Sequence, residues 1–192
     1  MALHMEGANY TVRKKVLSLL GHVFHVYDAN GGLVFYTRQK AFRLKEDIRL
    51  YTGEDMQTEV MRIQARQIID FSAAYDVVDS VTGDIVGALK RKGFKSMIKD
   101  EWTIMAPDGR DIGLLQEDNM LLALLRRFVT DLIPQGFSAD VDGQPVCEYR
   151  QNFNPFVKKI AINFLPAAEG RFDRRLGLAA AILLCVIEGR QG

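Results

Sequence analysis

Residues 173–188 read DRRLGLAAAILLCVIE, and this stretch decides the fold. Twelve consecutive residues, Leu176 to Ile187, are apolar or glycine. As a helix they reach about 18 Å, which is short of the roughly 20 residues a bilayer crossing needs. No face of that helix is polar, and a helix apolar all round has to be buried all round. Asp173 is placed to cap its start and Gly189 to end it. Its large side chains are Leu176, Leu178, Ile182, Leu183, Leu184, Val186 and Ile187. Burying them is worth on the order of 10–20 kcal/mol gross, as an upper bound. A whole domain keeps a net stability of about 5–15 kcal/mol.

Working outward, the rest of the chain reads mainly in period two. Candidate strands are Thr11–Leu17, His22–Asp28, Leu33–Thr37, Ile48–Tyr51, Glu59–Gln64, Gln67–Phe71 and Tyr75–Asp79. They continue with Asp84–Lys90, Trp102–Met105, Asp111–Gln116, Phe137–Val141, Val146–Arg150 and Val157–Phe164. Each is short, rich in β-branched and aromatic residues, and bounded by turn formers. Two segments break the pattern. Ala41–Asp47 reads as one or two helical turns, and Asn119–Ile133 as an amphipathic helix capped by Asp118 and stopped at Pro134. About a dozen strands around one wholly apolar helix predict an antiparallel barrel that encloses it.

The turns share a design. Asp28 to Gly31, Asp79 to Gly83, Pro107 to Gly109 and Asp142-Gly143 all end in glycine, which supplies the positive φ that hairpin turns need. Four residues beyond those glycines stand Phe35, Gly87, Gly113 and Cys147. The small ones among them are either tolerated in their strands or mark where the barrel wall meets the helix.

Composition agrees with a globular domain. The chain has 192 residues, 48% of them hydrophobic, and 25 Lys and Arg against 24 Asp and Glu. A balanced charge argues against a nucleic-acid partner. One domain over residues 1–192, with its core at about 11–189, is the expectation. Two cysteines are too few for a disulfide scaffold. The first residues, Met1 to Gly21, hold no uninterrupted apolar run. A cytoplasmic protein is therefore expected.

Three stretches also resemble a known family. They are YDVVDSVTGDIVGALKRKGFKSMIKDEWTIMAPDGRDIGLLQED (Tyr75–Asp118), YRQNFNPFVKKIAINF (Tyr149–Phe164) and FDRRLGLAAAILLCVIEG (Phe172–Gly189). Together they are similar to the LURP-one-related and phospholipid scramblase group, which has the tubby C-terminal fold. The resemblance spans about Thr11 to Gly189. It implies the same barrel around a helix, and it is poor in functional meaning. The group includes phosphoinositide-binding regulators, membrane-associated scramblases and many proteins of unknown role.

No catalytic pattern emerges. His22 and His25 fall on opposite faces of one strand, and His4 lies in a tail. Ser96-Met97-Ile98-Lys99 matches S-x-x-K without the partner motifs that chemistry needs. Phosphate-loop, dinucleotide, metalloprotease and C-x-x-C patterns are absent. The scramblase resemblance raises calcium ahead of the last helix. Only Glu169 and Asp173 stand there, with Arg171 between them, short of the six to eight oxygens calcium takes. The expectation is a non-enzymatic chain with no cofactor and no metal.

The cations are unevenly laid out. Lys90, Arg91, Lys92, Lys95 and Lys99 fall within ten residues that contain no acid, and Arg126-Arg127, Lys158-Lys159 and Arg174-Arg175 come in pairs. A basic cluster attracts anionic lipid at about 1 kcal/mol per residue, and exposed lysines also blunt sheet edges. Two functions therefore stand side by side. One is a module docking peripherally on anionic phospholipid or phosphoinositide through Lys90–Lys99. The other is a soluble structural or protein-interaction module without lipid. Lipid scrambling fits less well, because the long apolar run is used as core.

Overall fold

The structure, a computed structural model, describes residues 5–15, 22–39, 47–66, 73–91, 101–118, 135–152 and 157–187. Its strands are β1 (Asn9–Lys15), β2 (His22–Asp28), β3 (Leu33–Gln39), β4 (Ile48–Tyr51), β5 (Glu59–Ala65) and β6 (Ala74–Asp79). They continue as β7 (Ile85–Arg91), β8 (Glu101–Met105), β9 (Asp111–Glu117), β10 (Gly136–Val141), β11 (Gln144–Gln151) and β12 (Val157–Phe164). Each strand pairs antiparallel with its sequence neighbours, and β12 returns to β1, so the sheet closes on itself. The expected strand at Gln67–Phe71 and the helix at Asn119–Ile133 lie outside the described residues, as does Ala41–Asp47 except for Asp47.

The period-two pattern becomes the inside and outside of the barrel. Val12 pairs with Val26 and Val26 with Phe35, all facing inward and at most 2% exposed. Phe137, Tyr149, Ile162 and Tyr10 continue the same inner face across β10, β11, β12 and β1. Into this interior runs α1 (Arg174–Ile187), packed chiefly on β12 and β7 and also on β1 and β6. Leu176, Leu178, Ile182, Leu183 and Val186 are at most 3% exposed. The barrel thus encloses a helix that is apolar all round, as that composition requires.

Closure also explains two glycines. Gly87 has φ +154°, and a Cβ there would stand 2.8 Å from Leu176 Cδ1 and 2.6 Å from the Met105 carbonyl oxygen. This is a point where the wall meets the helix. Gly113 does not do the same. A Cβ on it would strike the carbonyl of Asp140 in β10, next to the bulge between Ala139 and Asp140. That glycine makes room for the neighbouring strand, not for the helix. The turn glycines Gly31, Gly83, Gly109 and Gly143 all have positive φ.

Both cysteines are buried and free. Burial pushes the Cys147 thiol up to about 12. Only the unfolded chain then ionises this thiol between about pH 9 and 12, so it binds fewer protons than the native state and stability falls as pH rises. The slope is up to about 1.4 kcal/mol per pH unit for one such group. Cys147 in the folded protein is expected to resist a thiol-specific alkylating reagent at pH 8 and to react at the rate of global unfolding. Mass spectrometry of labelled peptides across a denaturant series checks this, and rapid labelling without denaturant would refute it.

Candidate functional site

The barrel has two unlike ends. The tight turns of β2–β3, β6–β7, β8–β9 and β10–β11 gather at one end, with the first turn of α1. Three of their carboxylates are occupied locally. Asp28 Oδ1 accepts from the amides of Asn30 and Gly32, each at 2.8 Å. Asp79 Oδ1 accepts from Val81 N–H at 2.8 Å. The Arg110 side chain donates to Asp108 at 2.6 Å and holds its carboxyl below the usual range.

An ion cluster ties this end to the helix. Asp173 caps α1 by accepting from Arg175 N–H at 2.8 Å. It also holds the Arg175 guanidinium through contacts of 3.0 and 2.7 Å. The same guanidinium donates to Asp79 Oδ2 at 2.6 Å. Asp79 occupies an inner position opposite Met61 and its side chain is 4% exposed. Hydrogen bonding to Asp173, with smaller help from Asp79, raises the Arg175 pKa. Glu169 pairs with Arg174 at 3.2 Å. The acids before the helix are thus engaged by arginines. Among the described residues no group of three or more His, Cys, Asp or Glu could hold a metal.

The opposite end carries cations on two walls, with Glu101, Glu117 and Asp118 on or just past β8 and β9 between them. On β7, Lys90 is exposed on the outer face, while Arg91 pairs with the buried Trp102 and lies on the inner face, half-buried. Alternation therefore separates the first two residues of the expected basic site. Lys92, Lys95 and Lys99 lie outside the described residues, between the end of β7 and the start of β8. The other wall is β12 with β1. There Lys14 stands opposite Lys158 on the inner face, and Arg13 opposite Lys159 on the outer face. Lys14 is buried, with its ammonium 5.6 Å from the centre of the Phe24 ring.

Lys158-Lys159 stand out in the sequence as a pair, but their neighbours across the strands do not. The signal was Arg13-Lys14-Lys15, which becomes meaningful only once β1 is known to pair with β12. Beside it on the outer face, His25 is buried, 5.1 Å from Tyr36 and 5.9 Å from Tyr27 between ring centres, with Nε2 3.0 Å from Glu54. His25 therefore belongs to an aromatic cluster anchoring the β4–β5 connection.

No known family profile matches the chain, and no curated protein is similar to it. A solved structure of a protein from Arabidopsis thaliana aligns over 93% of this chain and 91% of its own, with 14% identity and a TM-score of 0.47.

Proposed function

We propose that this protein is a non-enzymatic module that docks peripherally, from the cytoplasm, on anionic phospholipid or phosphoinositide head groups through the basic end of its barrel. On this reading it is a LURP-one-related, scramblase-like protein with the tubby C-terminal fold. The supporting observation is the basic run itself. Lys90 is exposed near the end of β7, Arg91 follows it, and the sequence from there to Lys99 holds no acid, with Glu101 and the exposed Asp118 standing at the same end on β8 and just past β9. A planar anionic surface meets such an end at about 1 kcal/mol per basic residue. No described helix is long and apolar enough to cross a membrane, and the apolar run that scrambling would recruit is core.

Flotation with phosphatidylcholine vesicles, with and without phosphatidylserine or a phosphoinositide, tests the reading. Binding is expected only with the anionic lipids and is expected to weaken as salt is raised. The triple variant Lys90→Glu/Lys92→Glu/Lys95→Glu should lower affinity by about a hundredfold or more, from three contributions of about 1 kcal/mol each. Failure to float at any composition would leave the module a soluble protein-interaction or structural domain.

A further inference from the structure

We propose that the outer face of β12 and β1, centred on Arg13 and Lys159, is a separate site for a multiply charged phosphate group, a phosphomonoester or a polyphosphate. Arg13 and Lys159 are direct cross-strand partners, and like charges placed so destabilise a sheet. An acid at either position would relieve the repulsion, yet both are cations. Directly behind them, the next register pair, Lys14 and Lys158, repeats the arrangement on the inner face. Arg150 is exposed on β11 opposite Ala161, on the diagonal from Lys159.

The second observation concerns Arg13 itself. Its Nε is shut away from water and has no hydrogen-bond acceptor. Among the described residues, neither the Arg13 nor the Lys159 side chain has a hydrogen bond or an ion pair. A buried donor left without an acceptor is costly and calls for an explanation. A carboxylate brings one charge. A phosphomonoester brings about −1.5 to −2 charges and three strong acceptor oxygens. It can take the arginine fork through two oxygens while the ammonium of Lys159 neutralises the remaining charge. One such group offsets the repulsion between the two cations, while Nε itself stays covered, as it does in Arg62, Arg91 and Arg174. His25, next to Arg13 and bonded to Glu54, bounds the site on the β2 side.

This wall lies across the barrel from β7, so the inference stands apart from docking through Lys90–Lys99. Thermal melts of the full chain with inositol hexakisphosphate probe a free phosphate, and flotation with vesicles containing phosphatidylinositol 4-phosphate probes a lipid-borne one. At roughly a hundred times its dissociation constant, the soluble probe should raise Tm by about 5–10 °C. Arg13→Gln and Lys159→Gln should each weaken probe binding at least tenfold. Neither should melt below the parent without probe, since each removes half of a repelling pair. The Lys90→Glu/Lys92→Glu/Lys95→Glu variant should keep its response to the soluble probe. Binding to the vesicles alone, lost in Lys159→Gln, supports the site with a lipid source. The proposal is overturned if neither probe binds, or if both bind Arg13→Gln and Lys159→Gln as tightly as the parent.

Discussion

A chain ending at Arg171 is expected to show no cooperative melting transition and to accumulate as aggregate. The truncation removes Leu176, Leu178, Ile182, Leu183, Leu184 and Val186, all at most 3% exposed. At about 1.5–3 kcal/mol for each buried aliphatic side chain, the loss is on the order of the whole net stability of a domain. It also uncovers the inner face of the wall, including Val12, Leu89 and Ile162, each at most 1% exposed. Without the helix the barrel would have to collapse or expose that face to water. A barrel cannot shrink at a fixed strand number, because its radius follows from the strands and their stagger. Leu183→Asp, which keeps the chain length, should act the same way by burying a carboxylate with no partner. Circular dichroism melts of both variants decide the matter. A soluble truncated chain with a sigmoidal transition would show that the strands alone carry the fold.

What the sequence made legible follows from distance along the chain. The helix could be read because its apolar residues are contiguous, and the strands because alternation and their glycine turns are local. Alternation did not decide between the two readings of the small residues past each turn: Gly87 meets Leu176 of the helix. Gly113, at the equivalent count from its turn, meets the backbone of Asp140 instead. The closeness of that strand depends on the bulge at Ala139/Asp140, which alternation does not encode. The charge pattern was the least legible. Lys90–Lys99 stood out as a contiguous run, yet β7 turns Lys90 outward and Arg91 inward. The opposition of Arg13 to Lys159 joins residues at the two ends of the chain and exists only because β12 closes on β1. Even Asp79, read as an ordinary turn residue, gains its second role from Arg175, which is remote in sequence.

That second role has a large expected effect. Arg174 and Arg175 occupy the first turn of α1, where no acid stands, against the positive end of the helix dipole. The arginines are tolerated there because they are ties. Arg175 joins the cap Asp173 to Asp79, and Asp79 closes the β6–β7 turn. Replacing Arg175 by Met keeps most of the side-chain volume but strips a buried carboxylate of its cation. Breaking such a pair by removing one partner costs about 3–5 kcal/mol. Arg175 retains some exposure, 25% for its side chain, so the lower end of that range is expected. That corresponds to a fall in Tm of roughly 6–12 °C for a domain of this size. Asp79→Asn in the same chain should recover much of the loss, because the amide oxygen can still accept from Val81 N–H and no charge is left stranded. The double-mutant cycle therefore separates the stranded charge from lost packing. If Arg175→Met costs under about 1 kcal/mol, or if Asp79→Asn deepens the loss, the tie between turn and helix is not what holds this end of the barrel closed.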